Sequence, residues 1–363
     1  MTSTDLPLPM GSTIGILGGG QLGRMLALAA PRLGLRTHIY CPDADSPAFD
    51  VTPRSTIAAY EDEAALAAFA AAVDVITYEF ENVPARTAAF LAGLKPLRPG
   101  PRALAVSQDR LAEKAFLTLN RFPVAPFAAI SDLDMLEEAL LQFGAPAVLK
   151  TTRLGYDGKG QRIVANMEDA ALAFELLSPR PLVLEAFVDF ACEISVIAAR
   201  GADGTVAAYE PSENVHRDHI LKTSTVPAGI RGKTAAAAIE MAGRIAVALD
   251  YIGVLGVEFF VRDNGKLLVN EIAPRVHNSG HWTEAVCVTD QFEQHIRAVA
   301  GWPLGDPSRL ADVVMENLVG AEIDLVPAGL VSGMRPQLYG KRETRPGRKM
   351  GHINRIAVKK RSK

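Results

Sequence analysis

The chain opens with a short strand, a glycine-rich turn and a helix, and this order constrains its fold more than any other feature. Further strands and an alanine-rich helix follow at similar intervals. The predicted elements are strands at 13–17, 36–40 and 74–78 and helices at 24–32 and 62–72. Strands that alternate with helices indicate a parallel sheet with right-handed crossovers. We therefore predict an α/β N-terminal domain with a parallel sheet over residues 1–104, ending near a Pro-rich stretch at 95–101.

The pattern changes after this stretch, because strand pairs typical of hairpins replace the alternation. The predicted elements are helices at 109–119, 133–143 and 169–177, strands at 147–150, 161–165, 182–185 and 192–199, and a hairpin at 254–271. Antiparallel pairs next to helices are typical of an α+β domain. We place this domain at residues 105–300 and a small C-terminal domain with a basic tail at 301–363.

Composition limits the classes of protein that the chain can represent. Of its 363 residues, 48% are hydrophobic and 22% are charged, which is ordinary for a globular protein and argues against extended disorder. Cys41, Cys192 and Cys287 are scattered, so we predict reduced thiols and neither a disulfide scaffold nor a zinc ribbon. The first basic residue is Arg24 and the apolar runs are short, so we expect no signal peptide and no membrane contact. These features predict a cytoplasmic protein.

Charge is distributed unevenly along the chain. Residues 341–363 contain ten Lys or Arg and one acidic residue, a charge of +9, whereas the remaining 28 basic and 40 acidic residues give −12. A solvated basic tail explains residues 359–363. No aromatic residue follows Tyr339, so the stacking contacts of single-strand binding are missing and we predict no nucleic-acid partner.

A Pro-Gly turn within this basic segment is a candidate phosphate site. Pro346 and Gly347 favour a reversal of the chain. Cations held close together by such a turn suit a small phosphorylated ligand. The cations are Arg345, Arg348 and Lys349.

The glycine turn of the first domain has two interpretations. Gly18, Gly20 and Gly23 follow a strand with the spacing of the dinucleotide fingerprint, and Asp43 lies where an acid contacting the ribose is expected. Taken alone, this pattern favours an oxidoreductase with a nicotinamide or flavin cofactor. Three glycines are a weak signal, however, because a turn at a helix N-terminus suits any anion. We favour a substrate-phosphate or packing role and keep the oxidoreductase as an alternative.

Two glutamates are predicted to face each other across a β-hairpin. The hairpin turns at Asn264-Gly265, a dipeptide that favours a type I′ turn with positive φ at both residues. A turn centred there places Glu258 directly opposite Glu271. Like charges in that position destabilise a hairpin unless a cation lies between them, and Mg²⁺ with substrate phosphates is the natural cation. Protonation of one glutamate, or a register slipped by one residue, is the alternative. Asn270 contributes only if the strand loses regularity.

A second glycine-rich segment, residues 155–161, predicts a mobile flap over phosphates. Lys150 ends the preceding strand, and the glycines allow backbone amides to approach phosphate oxygens closely. The segment joins two strands and lacks the G-x-x-x-x-G-K-[ST] pattern, so it is not a P-loop. Together with Lys150 and the paired glutamates, the flap indicates a nucleotide–magnesium site.

These residues and several longer motifs resemble a known family. Resemblance to the ATP-grasp fold rests on Lys150, the flap, Glu185 to Val188, Glu193 and Asn270-Glu271. Narrower resemblance, to the 5-(carboxyamino)imidazole ribonucleotide synthase family of purine biosynthesis, rests on the motifs at 19–25, 78–82, 155–161, 270–283 and 345–352. The resemblance covers nearly the whole chain and implies that the α+β domain is an ATP-grasp domain. His219 departs from it, since the family usually has glycine there.

The resemblance implies an ATP site with two Mg²⁺ ions. Its implied ATP-binding residues are Arg110, Lys150, Gly155, Tyr156, Asp157, Gly158, Lys159, Gly160, Gln161, Glu185, Ala186, Phe187, Val188, Glu193, His216, Asn270 and Glu271. The implied metal ligands are Glu258 and Glu271. Lysines in this set neutralise phosphate charge, which phosphoryl transfer requires.

The resemblance also implies the reaction. Bicarbonate, the co-substrate, attacks the γ-phosphate of ATP to give carboxyphosphate and ADP, and aminoimidazole ribonucleotide is then carboxylated on its exocyclic amine. The implied catalytic residues are Asp157, which takes up the amine proton, Arg275, which orients bicarbonate or carboxyphosphate, and Lys341. The implied substrate-binding residues are Gly20, Gln21, Leu22, Glu79, Tyr156, His277, Asn278, Ser279, Arg345, Arg348 and Lys349.

Partners and rival functions follow from the same resemblance. We expect a homodimer whose product passes to the mutase of the next pathway step. The nearest rival is another ATP-grasp carboxylase or ligase, such as formate-dependent glycinamide ribonucleotide transformylase, which differs at 275–283 and 339–352. A nucleotide sensor without catalysis is disfavoured, because Lys150 and both glutamates are retained.

Overall fold

The first domain is built on a parallel sheet, as its alternating pattern predicts. The computed structural model describes residues 7–153, 155 and 159–357. The elements of the domain are β1 (Thr13–Leu17), α1 (Gln21–Arg32), β2 (Arg36–Tyr40), a 3-10 turn (Pro47–Val51), β3 (Arg54–Thr56), α2 (Glu63–Ala71), β4 (Val75–Tyr78), α3 (Ala85–Leu94) and α4 (Pro101–Ser107). The four strands pair in the order β3-β2-β1-β4, all parallel. The predicted boundary at residue 104 lies within α4, and the exact domain limits remain predictions.

A second unit carries the flap. Its elements are α5 (Arg110–Leu119), β5 (Phe127–Ile130), α6 (Leu133–Phe143), β6 (Ala147–Thr151), β7 (Gln161–Val164), α7 (Asp169–Leu177) and β8 (Leu182–Ala186). The strands form an antiparallel sheet in the order β5-β8-β6-β7. Apolar residues of α6 and α7 pack against this sheet in a core of their own. The flap joins β6 to β7, so it lies at the end of a hairpin.

The remaining strands form one large antiparallel sheet. Its elements and their neighbours are β9 (Cys192–Arg200), β10 (Val206–Ala208), β11 (Ser212–Arg217), β12 (Ile220–Val226), α8 (Gly232–Ala248), β13 (Gly253–Val261), β14 (Leu267–Ala273), α9 (Thr283–Val286), α10 (Gln291–Ala300), β15 (Val313–Val319), α11 (Val326–Gly329), β16 (Met334–Leu338) and β17 (Lys349–Ile356). Strand order is β14-β13-β9-β11-β12-β15-β17-β16, with β10 on β9. The C-terminal strands thus extend the sheet that carries the glutamates.

The first domain and the large sheet share a hydrophobic core. Ile14 and Leu26 of the first domain belong to the same buried cluster as Phe292, Val313 and Tyr339. Burial of apolar surface between the two units fixes their relative position. The glycine turn, the glutamate hairpin and the basic C-terminal segment therefore keep a defined geometry. Among the described residues, no helix is both long and apolar enough to cross a membrane.

The glutamate hairpin has the predicted pairing but a different turn. Of the two predicted turn residues, Gly265 has a positive φ (+78°) and Asn264 does not. The Arg262 amide donates to the Lys266 carbonyl at 2.9 Å, so the loop has three residues. The prediction of a type I′ turn was therefore wrong. The pairing of Glu258 with Glu271 is nevertheless confirmed, because the register shifts by one residue next to this pair.

Candidate active site

The paired glutamates lie on the accessible face of the large sheet. At the register shift, Asn270 is the extra residue of a β-bulge, and the burial pattern shows that Asn270 and Glu271 are both partly exposed between buried neighbours. Burial and the charge of Glu271 raise the pKa of Glu258 to about 8. The ionised form of Glu258 is therefore unfavourable, which fits either a proton on this carboxyl group or a bound cation, the two alternatives that the sequence predicts.

The protein supplies too few ligands to hold a metal alone. Among the described residues, no group of three or more His, Cys, Asp or Glu side chains is arranged as a metal site. Mg²⁺ is commonly bound through one or two carboxylates, substrate phosphates and water. The Glu258–Glu271 pair fits that arrangement, in which metal binding would depend on the nucleotide.

Glu193 and His216 form an ion pair beside the two glutamates. His216 Nδ1 lies 2.9 Å from Glu193 Oε2, and Glu193 pairs across the strands with Phe260, two residues from Glu258. Burial alone would lower the pKa of His216, but the hydrogen bond and charge of Glu193 raise it. One Glu193 oxygen is therefore already engaged by His216, which the sequence did not reveal.

Lys150 belongs to a buried charge centre at the base of the flap. Its ammonium lies 3.1 Å from Glu185 Oε2, and Lys114 lies at the same distance from that oxygen. Burial lowers the pKa of Lys150, although Glu185 opposes this effect. The other oxygen, Glu185 Oε1, is buried without a hydrogen-bond partner. A buried polar atom of this kind needs a partner, which a bound ligand or water can supply.

Arg110 connects the flap to the glutamate hairpin. Its guanidinium lies 3.5 Å from Glu271 and donates to the Gly155 carbonyl at 3.1 Å. At the other end of the flap, Gly160 has φ +71°, and a Cβ there would approach Thr151 Oγ1 within 2.6 Å, so glycine is required. Lys159 directly precedes Gly160, and Gln161 begins β7. The predicted residues Tyr156, Asp157 and Gly158 lie outside the described residues.

Aromatic side chains border the accessible face near β8. Ala186 ends β8, and Val188 is half-buried. Phe187 is exposed, and Phe190 stacks on Phe260 with ring centroids 4.8 Å apart. Phe260 shares the face of Glu258, since alternate residues of a strand point the same way. An apolar wall therefore lies on the same face of the sheet as the carboxylates, and such a wall suits a nucleotide base.

Arg275 is paired with a carboxylate of the first domain. The partner is Glu81, a residue of the predicted 78–82 motif that the sequence did not single out. Burial alone would raise the pKa of Glu81, but the Arg275 guanidinium lowers it to about 2. The pair joins the first domain to the segment that follows Glu271.

His277, Asn278 and Ser279 are brought together after Arg275 but differ in accessibility. His277 Nε2 lies 3.6 Å from Glu258, and burial lowers the pKa of His277 to about 3, so its ring is neutral. Asn278 exchanges two amide hydrogen bonds with Asn317, at 2.9 and 2.6 Å. The Ser279 hydroxyl is fully buried, contacting His277 Nδ1 at 2.8 Å and Ser195 at 2.6 Å. This geometry supports a structural role for Ser279, and its contact with substrate remains a prediction.

The glycine turn of the first domain encloses an internal carboxylate. Glu79 is buried and accepts hydrogen bonds from the amides of Gly20 (2.9 Å) and Gly23 (3.1 Å), and burial raises its pKa. A Cβ at Gly18 would approach the Glu79 side chain within 2.4 Å. The glycines thus admit Glu79, which occupies the amides that a pyrophosphate would need, and this counts against the dinucleotide alternative. Leu22 packs in the core, while Gln21 is half-buried.

The basic C-terminal segment lies against the first domain. Arg342 donates to Asp45 at 2.5 Å, and Lys341 donates to the Lys349 carbonyl at 2.7 Å. Lys349 lies close enough to Glu258 and His277 to lower the pKa of each. The segment therefore approaches the glutamate hairpin through Lys349.

The Pro-Gly turn at Pro346-Gly347 is exposed, whereas Lys349 after it is partly buried. The exposed Arg345 side chain pairs with Glu343, and Arg348 donates to the Glu343 carbonyl at 2.8 Å. Gly347 has φ +76°, which a turn with glycine permits. The structure therefore brings Lys349 to the site while Arg345 and Arg348 lie at its edge.

Sequence reasoning missed three charged residues of the site. They are Glu81, Glu113 and Lys114. Glu113 and Lys114 precede Phe116 and Leu117 by three residues, and all four are buried. Helical periodicity therefore carried a signal that these two charges face the interior. No comparable spacing links Glu81 to Arg275.

Comparisons with known proteins agree with this geometry. The ribonucleotide synthetase preATP-grasp domain family matches residues 11–108, and the ATP-grasp domain family matches residues 115–292. The phosphoribosylaminoimidazole carboxylase C-terminal domain family matches residues 313–362. The predicted fold class is thereby confirmed.

Individual relatives match almost end to end. N5-carboxyaminoimidazole ribonucleotide synthase from Brucella melitensis is 55% identical over 352 residues, covering 96% of this chain and 97% of that protein. The Bacillus subtilis enzyme of that name is 41% identical over 348 residues, covering 94% and 91%.

Solved structures of such enzymes superpose closely. The Staphylococcus aureus synthetase complexed with ADP has a TM-score of 0.93 at 37% identity, covering 97% of this chain and 95% of that one. The Aspergillus clavatus enzyme, in complex with ADP and 5-aminoimidazole ribonucleotide, has a TM-score of 0.90 at 30% identity, covering 96% and 94%. This chain belongs to the N5-carboxyaminoimidazole ribonucleotide synthase family.

Proposed function

We propose that this protein is an ATP-dependent ligase that carboxylates 5-aminoimidazole ribonucleotide in purine biosynthesis. Bicarbonate is the carboxyl donor, and the products are N5-carboxyaminoimidazole ribonucleotide, ADP and phosphate. The observation that carries this proposal is the arrangement of Glu258 and Glu271 between the Lys150 charge centre and the Arg275–Glu81 pair. Membership of the family supports the same assignment.

We assign the accessible face of the large sheet, with the flap, to Mg²⁺ and ATP. Glu258 and Glu271 would bind magnesium together with the nucleotide phosphates, and Asn270, the extra residue of the bulge, would add an amide oxygen. Lys150 would neutralise phosphate charge, and the Glu193–His216 pair would contact the ribose. The Staphylococcus aureus relative was solved with ADP, which supports a nucleotide in this site.

The reaction then has two steps. An oxygen of bicarbonate attacks the γ-phosphorus, the bond to the bridging oxygen breaks, and ADP leaves with that electron pair. The exocyclic amine of the ribonucleotide next attacks the carboxyl carbon of carboxyphosphate, or CO₂ released from it, and phosphate leaves. Arg275, held by Glu81, would orient the anionic intermediate, and we retain Asp157 as the acceptor of the amine proton.

The ribonucleotide is proposed to bind between the first domain and the C-terminal segment. The Arg342–Asp45 contact brings these two parts together, and the next residue, Ser46, lies against Gly19 of the glycine turn. Lys341 and Lys349 would supply charge at this junction, and Arg345 and Arg348 would bind the 5′-phosphate at its edge. The Aspergillus clavatus relative was solved with ADP and this ribonucleotide, which supports two adjoining sites.

The cellular setting is also proposed. A cytoplasmic homodimer that passes its product to a mutase is consistent with purine biosynthesis. Size-exclusion chromatography with light scattering tests the dimer, and a mass of about one chain would contradict it.

The function is tested by ADP release with one component omitted at a time. We expect release to require Mg²⁺, bicarbonate and aminoimidazole ribonucleotide together, and Glu258→Gln to abolish it. Glu240→Gln, at a glutamate whose side chain is 73% exposed on α8, is the matched control and should retain activity. ADP release that instead depends on formate and glycinamide ribonucleotide would favour the rival transformylase.

A further inference from the structure

The first turn of α5 contacts both the bulge that carries Glu271 and the flap. Arg110 lies 3.5 Å from the Glu271 carboxylate and donates to the Gly155 carbonyl. Three residues later, on the same side of the helix, Glu113 Oε1 accepts a hydrogen bond of 2.6 Å from the Ile272 amide. One helical turn therefore contacts the side chain of Glu271 and the backbone immediately after it.

The amide that Glu113 engages is on the outer edge of the sheet. β14 is the terminal strand of the large sheet and pairs only with β13 among the described strands of that sheet. Residues 123–124 cover this edge at Val269, whose amide donates to the Pro123 carbonyl at 2.7 Å, and three residues further on Glu113 takes the Ile272 amide instead. Glu113 is 3% exposed, so its carboxyl group satisfies that amide in the interior, where an unpaired backbone group is costly.

The bulge makes this contact important for the direction of Glu271. A bulge leaves one residue unpaired and disrupts the ladder locally, so the strand alone does not fix the two side chains opposite Glu258. The hydrogen bond from Ile272 fixes the backbone directly after the bulge. Arg110 then restrains the Glu271 carboxylate itself.

We propose that Glu113 is a positioning residue, which holds the Ile272 amide so that Glu271 points at the metal–nucleotide complex. This inference rests on the proposed function, because it assumes that Glu271 is a magnesium ligand. Glu113 touches no substrate in this scheme and acts through the backbone of β14.

Two substitutions separate the hydrogen-bond acceptor from the charge. Glu113→Ala removes the acceptor, and we expect the Mg²⁺ concentration for half-maximal ADP release to rise about tenfold while the KM for the ribonucleotide stays within twofold. Glu113→Gln keeps an oxygen at the same position, and we expect it to restore the Mg²⁺ dependence to within about twofold of wild type. A merely structural role would not produce this split.

The control removes an exposed hydrogen bond from a backbone amide to a carboxylate, far from the bulge. Asp62 caps α2 by accepting from the Ala65 amide at 2.9 Å. Asp62→Ala should lower the melting temperature and leave the Mg²⁺ dependence unchanged. If Glu113→Ala is insoluble, Glu113→Asp, which draws the acceptor back by one carbon, is measured instead.

A binding measurement keeps this inference distinct from the reaction. Electron paramagnetic resonance of Mn²⁺ with ADP and full-length protein should show affinity weakened about tenfold by Glu113→Ala and restored by Glu113→Gln. Wild-type Mn²⁺ affinity in Glu113→Ala, or equal loss in both variants, would overturn the positioning role. Failure of the wild-type protein to require ribonucleotide and bicarbonate would overturn the proposed function alone.

Discussion

Replacement of Glu81 by glutamine tests whether the first domain holds Arg275 in place. Glu81 forms an ion pair with Arg275, and the two side chains are 30% and 17% exposed, respectively. Burial alone would raise the pKa of Glu81, but Arg275 lowers it to about 2 from an ordinary value of 4.5. That difference corresponds to about 3 kcal/mol, and solvent screening reduces it. We therefore expect the pair to stabilise the fold by about 1.5–3 kcal/mol.

The pH dependence of this stabilisation has a defined sign. The pKa of Glu81 is lower in the folded state than in the unfolded state, so ionisation favours folding. The contribution is fully present above about pH 4.5 and is lost as the pH falls toward about 2. The free energy of unfolding attributable to the pair should thus be equal at pH 6 and pH 8.

A double-mutant cycle measures the pair directly. Urea unfolding of wild type, Glu81→Gln, Arg275→Gln and the double variant at pH 7 gives a coupling energy, which we expect at about 1.5–3 kcal/mol. The exposed pair Arg86–Glu63, at 2.8 Å, is the control, and its coupling should stay below about 0.5 kcal/mol. Equal coupling in both cycles would refute the argument. Glu81→Gln should also raise the KM for bicarbonate.

Three further outcomes are expected from single substitutions. Glu271→Gln should reduce turnover far more than nucleotide affinity, and near-normal turnover at limiting Mg²⁺ would contradict the metal assignment. Arg348→Ala should raise the KM for the ribonucleotide roughly ten- to a hundredfold, since each charge-assisted hydrogen bond contributes about 1.5–3 kcal/mol, and should leave the KM for ATP unchanged. Steady-state kinetics that show an equal rise in both constants would instead place the turn at the nucleotide. His219→Gly should raise the free energy of unfolding by about 0.5–1 kcal/mol, because His219 has φ +62° in the β11–β12 turn; an unchanged urea midpoint would contradict this.

The glutamate hairpin shows how far local sequence rules extend. The Asn264-Gly265 signal located the turn, yet the loop has three residues and not two. That error alone would have shifted every pair by one residue. The bulge at Asn270 cancels it, so that Glu258 still faces Glu271. Turn propensity does not report bulges, because a bulge lies elsewhere in the strand and leaves the turn residues unchanged.

The first domain shows where sequence rules are incomplete. The strand–turn–helix order predicted the parallel sheet, and the glycine spacing predicted a turn with free amides. The acceptor of those amides is Glu79, which follows β4 along the sequence but lies beside β1 in the sheet. The Arg275–Glu81 pair is similarly long-range, and no local pattern relates residues so far apart. Such contacts are set by the packing of the domains.

Transfer of oxygen from bicarbonate to phosphate tests the central claim most directly. The protein is supplied with Mg²⁺-ATP, aminoimidazole ribonucleotide and bicarbonate labelled with ¹⁸O, and the released phosphate is analysed by mass spectrometry. Attack of bicarbonate on the γ-phosphate predicts one ¹⁸O in each phosphate formed. Phosphate without label, released while the ribonucleotide is carboxylated, would contradict a carboxyphosphate intermediate.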